Sequence, residues 1–246
     1  MHTGPSVTHT RTYTHTHTPT TDHPSIMPIH VLPAETAEDI TRIFEICSLA
    51  FARNEPFWDL LYPSHWTPAG RTEGATRMLE LHKTDPHCTF LKAVDTSTNT
   101  IVGMAKWQVY DNELPAGFDS GEEIPVADYW PEEEKSYVRH MLGEFVKDRH
   151  EKLRETRGNL VSLDILTIDP AWQRRGVGDA LVKWGTGKAD QMGVEACVES
   201  SVYGKGLYQK NGYVFLKDVT MAVPEQWEGR DKSRYAWLVR PKQGKE

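Results

Sequence analysis

Cysteine is scarce in this sequence, and its few copies lie far apart. Cys47, Cys88 and Cys197 are the only three in 246 residues. An odd number at this spacing gives neither a disulfide framework nor the closely spaced ligand pairs of a zinc site. We therefore predict a reducing compartment, a cytoplasmic location and no metal site.

Long apolar runs and an excess of positive charge are absent as well. No run approaches the roughly 20 apolar residues that span a bilayer, and the N-terminus has no apolar core of a secretory signal. The formal net charge is −7, with no broad basic stripe to neutralise phosphates. We expect neither a membrane nor a nucleic acid as partner, and the oligomeric state stays open.

Apolar residues are almost missing from residues 1–25, where Thr and His dominate. Such a segment cannot bury enough surface to offset the entropy of ordering it. We predict a disordered tail over 1–26 and a single domain over 27–246. The alternative function for the tail is metal capture by His15 and His17.

From residue 27 onward, apolar periodicity predicts strands and helices in the order β-α-α-β-β-insert-β-α-β-α-β-β. Thr36 is the expected N-cap of the first helix, with Asp39 completing a capping box. The run "NLVSLDILTI", at 159–168, is apolar on both faces, as in the central strand of a covered sheet. The pattern indicates a mixed α/β domain around one sheet, interrupted by an insert at 111–158.

A glycine-rich turn with paired arginines, "QRRGVG" at 173–178, follows this central strand and opens a helix. Glycine lets the backbone approach a ligand closely, and the free amides of a helix N-terminus favour an anion. The two arginines add charge and fork-shaped donors. The pattern favours a phosphate or pyrophosphate site, or else a tight turn with solvated arginines.

Two ordered motifs carry a resemblance to a known family. The stretch "LDILTIDPAWQRRGVGDALVKWGTGKADQMG", followed by "VESSVYGKGLYQKNGY", resembles the GNAT family of acetyl-CoA-dependent N-acetyltransferases. The family signature Q/R-x-x-G-x-G/A is met at 173–178. The later pattern L-Y-x-x-x-G-F/Y is met at 207–213. The resemblance is clear over about 159–217.

The resemblance implies a mixed central sheet flanked by helices, with the helical insert placed before a central splayed strand. It also implies transfer of acetyl from acetyl-CoA to the amine of a small molecule, directly in a ternary complex. The alternatives are acetylation of a protein N-terminus or lysine, and a catalytically silent acyl-CoA-binding module. The residues it implies for binding acetyl-CoA are Leu166, Ile168, Gln173, Arg174, Arg175, Gly176, Val177, Gly178 and Ser201.

Two residues are catalytic candidates. Tyr208 falls where the family often has a tyrosine near the thioester sulfur, and a phenol could protonate the departing thiolate. It could also be a core aromatic with a satisfied hydroxyl. Asp164 interrupts the apolar strand, where desolvation would raise its pKa toward that of a general base. A structural Asp, bonded to nearby backbone or a tyrosine, is the alternative.

The acidic half of the insert suggests a substrate preference. Nine acids and no Lys or Arg occur between Asp111 and Glu134, together with Phe118, Tyr129 and Trp130. Acids beside aromatic rings would attract and stack a cationic amine. The alternative is a solvated loop whose aromatic residues anchor it to the core.

Overall fold

The computed structural model describes residues 1, 29–115, 118, 124, 126 and 129–244. The tail predicted over 1–26 lies outside the described residues apart from Met1, so its predicted disorder stays a prediction. Much of the acidic half of the insert also lies outside the described residues.

One seven-stranded sheet organises the chain, in the strand order β1-β2-β3-β4-β5-β7-β6. The pair β4–β5 is parallel and every other neighbouring pair is antiparallel. The strands are β1 Ile29–Pro33, β2 Cys88–Asp95, β3 Thr100–Asp111, β4 Asn159–Ile168, β5 Glu195–Ser200, β6 Val214–Thr220 and β7 Arg234–Arg240.

Six α-helices accompany these strands in the described residues: α1 Ala37–Phe51, α2 Pro56–Leu61, α3 Pro68–Thr84, α4 Glu132–Glu155, α5 Val177–Met192 and α6 Lys205–Lys210. The predicted element order is confirmed, with the helical half of the insert forming α4 directly before β4. The short helix α2 was not predicted, because a segment of 6 residues shows less than two turns of periodicity. None of the described helices has the length and hydrophobicity of a membrane span.

Helix α1 begins with the predicted capping box. The Thr36 hydroxyl accepts from the Asp39 amide at 3.1 Å, and Asp39 Oδ2 accepts from the Thr36 amide at 3.3 Å. Lys92 of β2 donates to the same carboxylate oxygen at 2.6 Å. The cap thus also ties the start of α1 to the sheet.

The two faces of the sheet carry different helices. Val161 and Leu163 of β4 belong to the apolar cluster that includes Leu181 and Val182 of α5. Leu160, whose side chain points to the other face, packs in a cluster with Met141 of α4. Helix α5 therefore covers one face of the central strands, and α4 covers the opposite face.

Glycine permits the close approach of α5 to the sheet. A Cβ atom at Gly185 would stand only 2.2 Å from the ring of Trp107, which is fully buried in β3. Any side chain at this position would push α5 away from the strands. The position of the N-terminus of α5 therefore depends on a contact that lies two turns along the helix.

Polar contacts fix α4 across several strands on its own face. Asp148 accepts from Lys217 of β6 at 2.7 Å and from the Tyr235 hydroxyl of β7 at 3.1 Å. Lys152 lies 3.6 Å from the carboxylate of Glu195 in β5. With Arg149, described below, these contacts tie the insert helix to β4, β5, β6 and β7.

Candidate active site

A gap opens between the two parallel strands at the centre of the sheet. The pairing of β4 with β5 runs from Leu160–Glu195 to Leu163–Val198 and stops there. Beyond that point β4 continues along β3 to Ile168, while β5 continues along β7 to Ser200. The two diverging strands leave main-chain groups on their facing edges without a strand partner. The predicted splayed strand is β4.

The turn at 173–178 lies on the α5 side of this gap. Gly176 is the N-cap of α5, with φ of 86°, and no side chain caps the helix there. Gln173, Arg174, Arg175 and Gly176 are exposed. The first-turn amides of a helix have no intrahelical acceptor, so those of α5 are open to an external anion.

The structure brings several of the predicted acetyl-CoA-binding residues together. A Cβ atom built on Gly178 would lie 3.8 Å from Leu166 and 3.9 Å from Ile168, the two β4 residues of the prediction. The same atom would lie 3.1 Å from Leu207 of α6, so a larger residue would crowd this junction. Arg175 stacks on the Trp172 ring, with its guanidinium carbon 5.3 Å from the centroid.

Tyr208 lies beside the end of β5. A Cβ atom on Gly204 would contact both Ser200 Oγ, at 2.8 Å, and the Tyr208 ring, at 2.9 Å. The Tyr208 ring is buried and packs edge-on against Tyr213 at 5.7 Å. No described residue hydrogen-bonds the Tyr208 hydroxyl. Burial raises the pKa of Tyr208 above its usual value, so its proton is retained at neutral pH.

The pKa of Asp164 is shifted in the direction opposite to the prediction. Burial opposes its charged form, but Lys106 and Arg149 outweigh burial and hold the pKa of Asp164 well below its usual value. Lys106 Nζ donates to Asp164 Oδ2 at 2.5 Å and Arg149 Nη1 donates to Oδ1 at 2.9 Å. The expectation that desolvation raises the pKa of Asp164 was wrong, because two cations compensate the buried charge.

This carboxylate belongs to a cluster of four charged side chains. Arg149 of α4 also donates to Glu199 of β5, from Nε at 3.1 Å and from Nη2 at 2.6 Å. The Arg149 side chain is 5% exposed and that of Glu199 1% exposed. The charge cluster, defined as Lys106, Arg149, Asp164 and Glu199, holds two positive and two negative charges and bridges the strands where their pairing has ended.

The sequence predictions missed Lys106 and Arg149. Lys106 had a signal, since it is the only charged residue within the run "IVGMAKWQVY" at 101–110. Arg149 had none, because it is one of many charges on α4. Burial of both cations follows from the tertiary contacts with Asp164 and Glu199.

A cavity of about 930 Å³ lies on the α4 face of the sheet and reaches this cluster. All four residues of the charge cluster line it, together with Ser201, which follows β5. Its aromatic lining comes from α1, α2 and its C-cap, β3, α4 and β7, and consists of Phe51, Phe57, Trp58, Tyr62, Tyr110, Phe145 and Tyr235. Three further acids line it: Glu55, Asp85 and Glu113.

Two aromatic residues of the insert contact helices. The Phe118 ring lies 4.7 Å from the His150 ring of α4, and the Arg77 guanidinium of α3 lies 3.9 Å from the centroid of Tyr129. These contacts agree with the interpretation that the aromatic residues anchor the insert. The acids Glu122, Glu123 and Asp128 lie outside the described residues.

The three thiols are not activated. Cys47 and Cys197 are buried, and Cys88 is half-buried. Burial raises the pKa of each to about 12, so all three stay protonated at neutral pH.

Comparisons with known proteins find acetyltransferases that this chain resembles in sequence or in fold. The family model described as "Acetyltransferase (GNAT) domain" matches residues 150–222. No curated protein matches the chain. Among solved structures, mosquito arylalkylamine N-acetyltransferase-like 5b is 13% identical with a TM-score of 0.62, covering 87% of this chain and 100% of its own. The polyamine N-acetyltransferase of Drosophila melanogaster is 14% identical with a TM-score of 0.56, at 87% and 100% coverage.

A third similar structure comes from Corynebacterium glutamicum and is described as a histone acetyltransferase and related acetyltransferase. It is 18% identical with a TM-score of 0.56, covering 89% of this chain and 99% of its own. At these identities the structures show a shared fold, and the family model identifies the segment that contains the turn at 173–178, β5 and α6. Residues 150–222 therefore match the GNAT acetyltransferase domain model, within a chain that has the fold of these acetyltransferase structures.

Proposed function

We propose that this protein transfers the acetyl group of acetyl-CoA to the amine of a small molecule, directly within a ternary complex. The observation that carries the proposal is the gap between β4 and β5. On one side of the sheet it adjoins the exposed turn at the start of α5, and on the other the aromatic cavity. Two ligands entering from opposite faces would meet at the end of β5.

Acetyl-CoA would bind on the α5 side. The amides of residues 173–178 would hold its pyrophosphate, and Arg174 and Arg175 would supply neutralising charge. The main chain of Leu166 and Ile168 would pair with the pantetheine arm along the free edge of β4, and Ser201, directly after β5, would contact it. Amides on that edge could also stabilise the developing charge on the thioester oxygen.

Direct transfer assigns a role to Tyr208. The amine nitrogen attacks the acetyl carbon, the carbon–sulfur bond breaks, and the sulfur leaves as a thiolate. The protonated Tyr208 hydroxyl, which lies beside the end of β5, would give its proton to that thiolate. No cysteine intermediate is needed, in agreement with the raised pKa values of the three thiols.

A small molecule fits the acceptor side better than a protein chain. The cavity of about 930 Å³ lies within the usual range for small-ligand sites, roughly 300 to 1,000 Å³. Its aromatic walls suit an apolar body, and Glu55, Asp85 and Glu113 suit a cation. Two of the similar structures are named for arylalkylamine and polyamine substrates, which share these features.

The decisive experiment is CoA release in a panel of amines. Arylalkylamines, agmatine, polyamines and a lysine-containing peptide would each be offered with acetyl-CoA. We expect release with at least one small amine. Release with the peptide alone would favour a protein acetyltransferase, and binding of acetyl-CoA without release by any acceptor would favour the silent module.

The acidic insert predicts a salt dependence. If its charges steer cationic acceptors, kcat/KM for a charged amine should fall severalfold between about 0.01 and 0.3 M salt, as screening increases. Substituting neutral isosteres for Glu122, Glu123 and Asp128 should flatten this dependence in steady-state assays.

The control for this prediction removes three exposed acids from α1, its N-terminal approach and α3. The control substitutions are Glu35→Gln, Glu38→Gln and Glu80→Gln. They lower the total negative charge equally and should leave the salt dependence in place. The steering role would be contradicted if kcat/KM of the wild-type protein did not change with salt concentration, or if the protein preferred acidic acceptors.

A further inference from the structure

We propose that Glu199 takes up the proton of the acceptor amine, and that Arg149 of the insert helix is its positioning residue. The inference rests on the proposed function. It concerns the step that Asp164 does not fill, since an ammonium must lose a proton before its nitrogen can attack. A base near the meeting point of the two ligands is required for that role, and a carboxylate can fill it.

The position of Glu199 supports this role. It lies on β5 immediately beyond Val198, where pairing with β4 ends, and it is one of the residues that line the acceptor cavity. Tyr208 and Ser200, the residue after Glu199, both lie close to Gly204. The proposed acceptor of the amine proton and the proposed donor to the thiolate thus occupy neighbouring positions at the end of one strand.

The two carboxylates of the charge cluster differ in their environments. Asp164 receives hydrogen bonds from both cations of the cluster, whereas Arg149 is the one cation that donates to Glu199 among the described residues. Burial outweighs the attraction of Arg149 and raises the pKa of Glu199 above its usual value. Glu199 is therefore the stronger base of the two, and each of its oxygens keeps a second lone pair for a proton.

Proton transfer to Glu199 balances in charge. The ammonium gives one proton to the Glu199 carboxylate, and the neutral amine then attacks the acetyl carbon. The total charge of amine plus cluster is the same before and after this step, so the cavity gains no uncompensated charge. The second proton of the attacking nitrogen passes to Tyr208 after Tyr208 has protonated the thiolate, and the first proton leaves Glu199 for solvent.

Arg149 fixes where this carboxylate stands. Its fork holds both oxygens of Glu199 on β5 and one oxygen of Asp164 on β4, across strands that no longer pair. A planar guanidinium sets both the distance and the plane of a carboxylate, which an ammonium cannot do. The charged or titratable groups that act on Glu199 are Arg149 from α4, Asp164 from β4, Cys197 from β5 itself and Tyr235 from β7, while Lys106 from β3 pairs with Asp164.

Three variants test the inference, each assayed with the same amine so that the ionisation of the acceptor is common to all. Glu199→Gln should lower kcat by about 30-fold or more and remove the acidic limb of the kcat/KM profile. Acetyl-CoA affinity should stay within about threefold. Arg149→Met should keep an acidic limb but move it to higher pH by about one unit or more, because the cation that lowers the pKa of Glu199 is gone.

Arg149→Lys separates the charge from the geometry. It keeps a cation and loses the fork, so kcat should fall about tenfold while the acidic limb moves less than in Arg149→Met. Lys147→Met is the matched control, since it removes an exposed charge from the same helix and should leave rate and profile unchanged.

A charge-balanced variant guards against loss of folding. Arg149→Met with Glu199→Gln removes one charge of each sign and leaves Lys106 paired with Asp164. It should keep a cooperative thermal transition and remain as slow as Glu199→Gln. Wild-type rate and an intact acidic limb in either Glu199 variant would overturn the inference alone. If the wild-type protein fails to release CoA with every amine of the panel, the proposed function is overturned and this inference with it.

Discussion

Substituting Asp for Gly176 should weaken acetyl-CoA binding by at least about 100-fold in Kd, measured by calorimetry. Gly176 is the N-cap of α5, and its first-turn amides have no side-chain acceptor. Aspartate is a favoured N-cap residue that accepts hydrogen bonds from those amides. It would occupy the donors that the pyrophosphate needs and place a negative charge beside the negatively charged pyrophosphate. Unchanged affinity would refute the placement of the pyrophosphate at this turn.

Gly176→Ala is the matched control. The φ of 86° at Gly176 disfavours any residue with a Cβ, so alanine carries the same backbone strain without the charge. No atom lies within 4 Å of a Cβ at this position, so no clash is added. Alanine should weaken binding by about tenfold or less. An equal loss in both variants would mean that strain, rather than competition for the amides, causes the effect.

Replacement of Tyr208 by Phe should lower kcat by about 100-fold while acetyl-CoA affinity changes by less than about threefold. The ring would keep its packing against Tyr213, so only the proton donor is lost. Single-turnover assays with acetyl-CoA bound would separate the transfer step from product release. Turnover within about twofold of wild type would leave Tyr208 as a core aromatic residue.

Tyr213→Phe is the matched control for this variant. Its hydroxyl is buried, and within the described residues it has no hydrogen-bond partner. Removing it should leave kcat unchanged and raise the melting temperature slightly, because an unsatisfied buried hydroxyl is costly. A similar loss of kcat in both variants would point to the packing of the two rings rather than to proton transfer.

Local patterns allowed much of this architecture to be predicted from the sequence. The capping box at Thr36 and Asp39 and the turn at 173–178 depend on residues a few positions apart, so their geometry is encoded where they stand. The splayed strand followed from the resemblance of those motifs to a family. The Glu132–Glu155 helix was expected in outline, because its mixed charges are those of a half-exposed helix.

The electrostatics of Asp164 could not be predicted in the same way. Its partners lie 15 and 58 residues away in sequence, on α4 and β3, and only the fold brings them within hydrogen-bonding distance. From the sequence, a lone acid in an apolar strand indicates desolvation and a raised pKa. The direction of the shift reverses once two cations are counted, and neither cation is near Asp164 in the sequence.

The attachment of α4 to the sheet limits how acceptor preference can be engineered. Grafting the corresponding helix from a relative would bring new cavity walls, but it would also discard Asp148 and Arg149. Glu199 would then remain as a buried charge without its cation, Asp164 would keep only Lys106, and the exposed Lys217 would lose its carboxylate. A viable chimera therefore has to exchange this helix together with its counterparts on β4, β5 and β6, as one inherited unit.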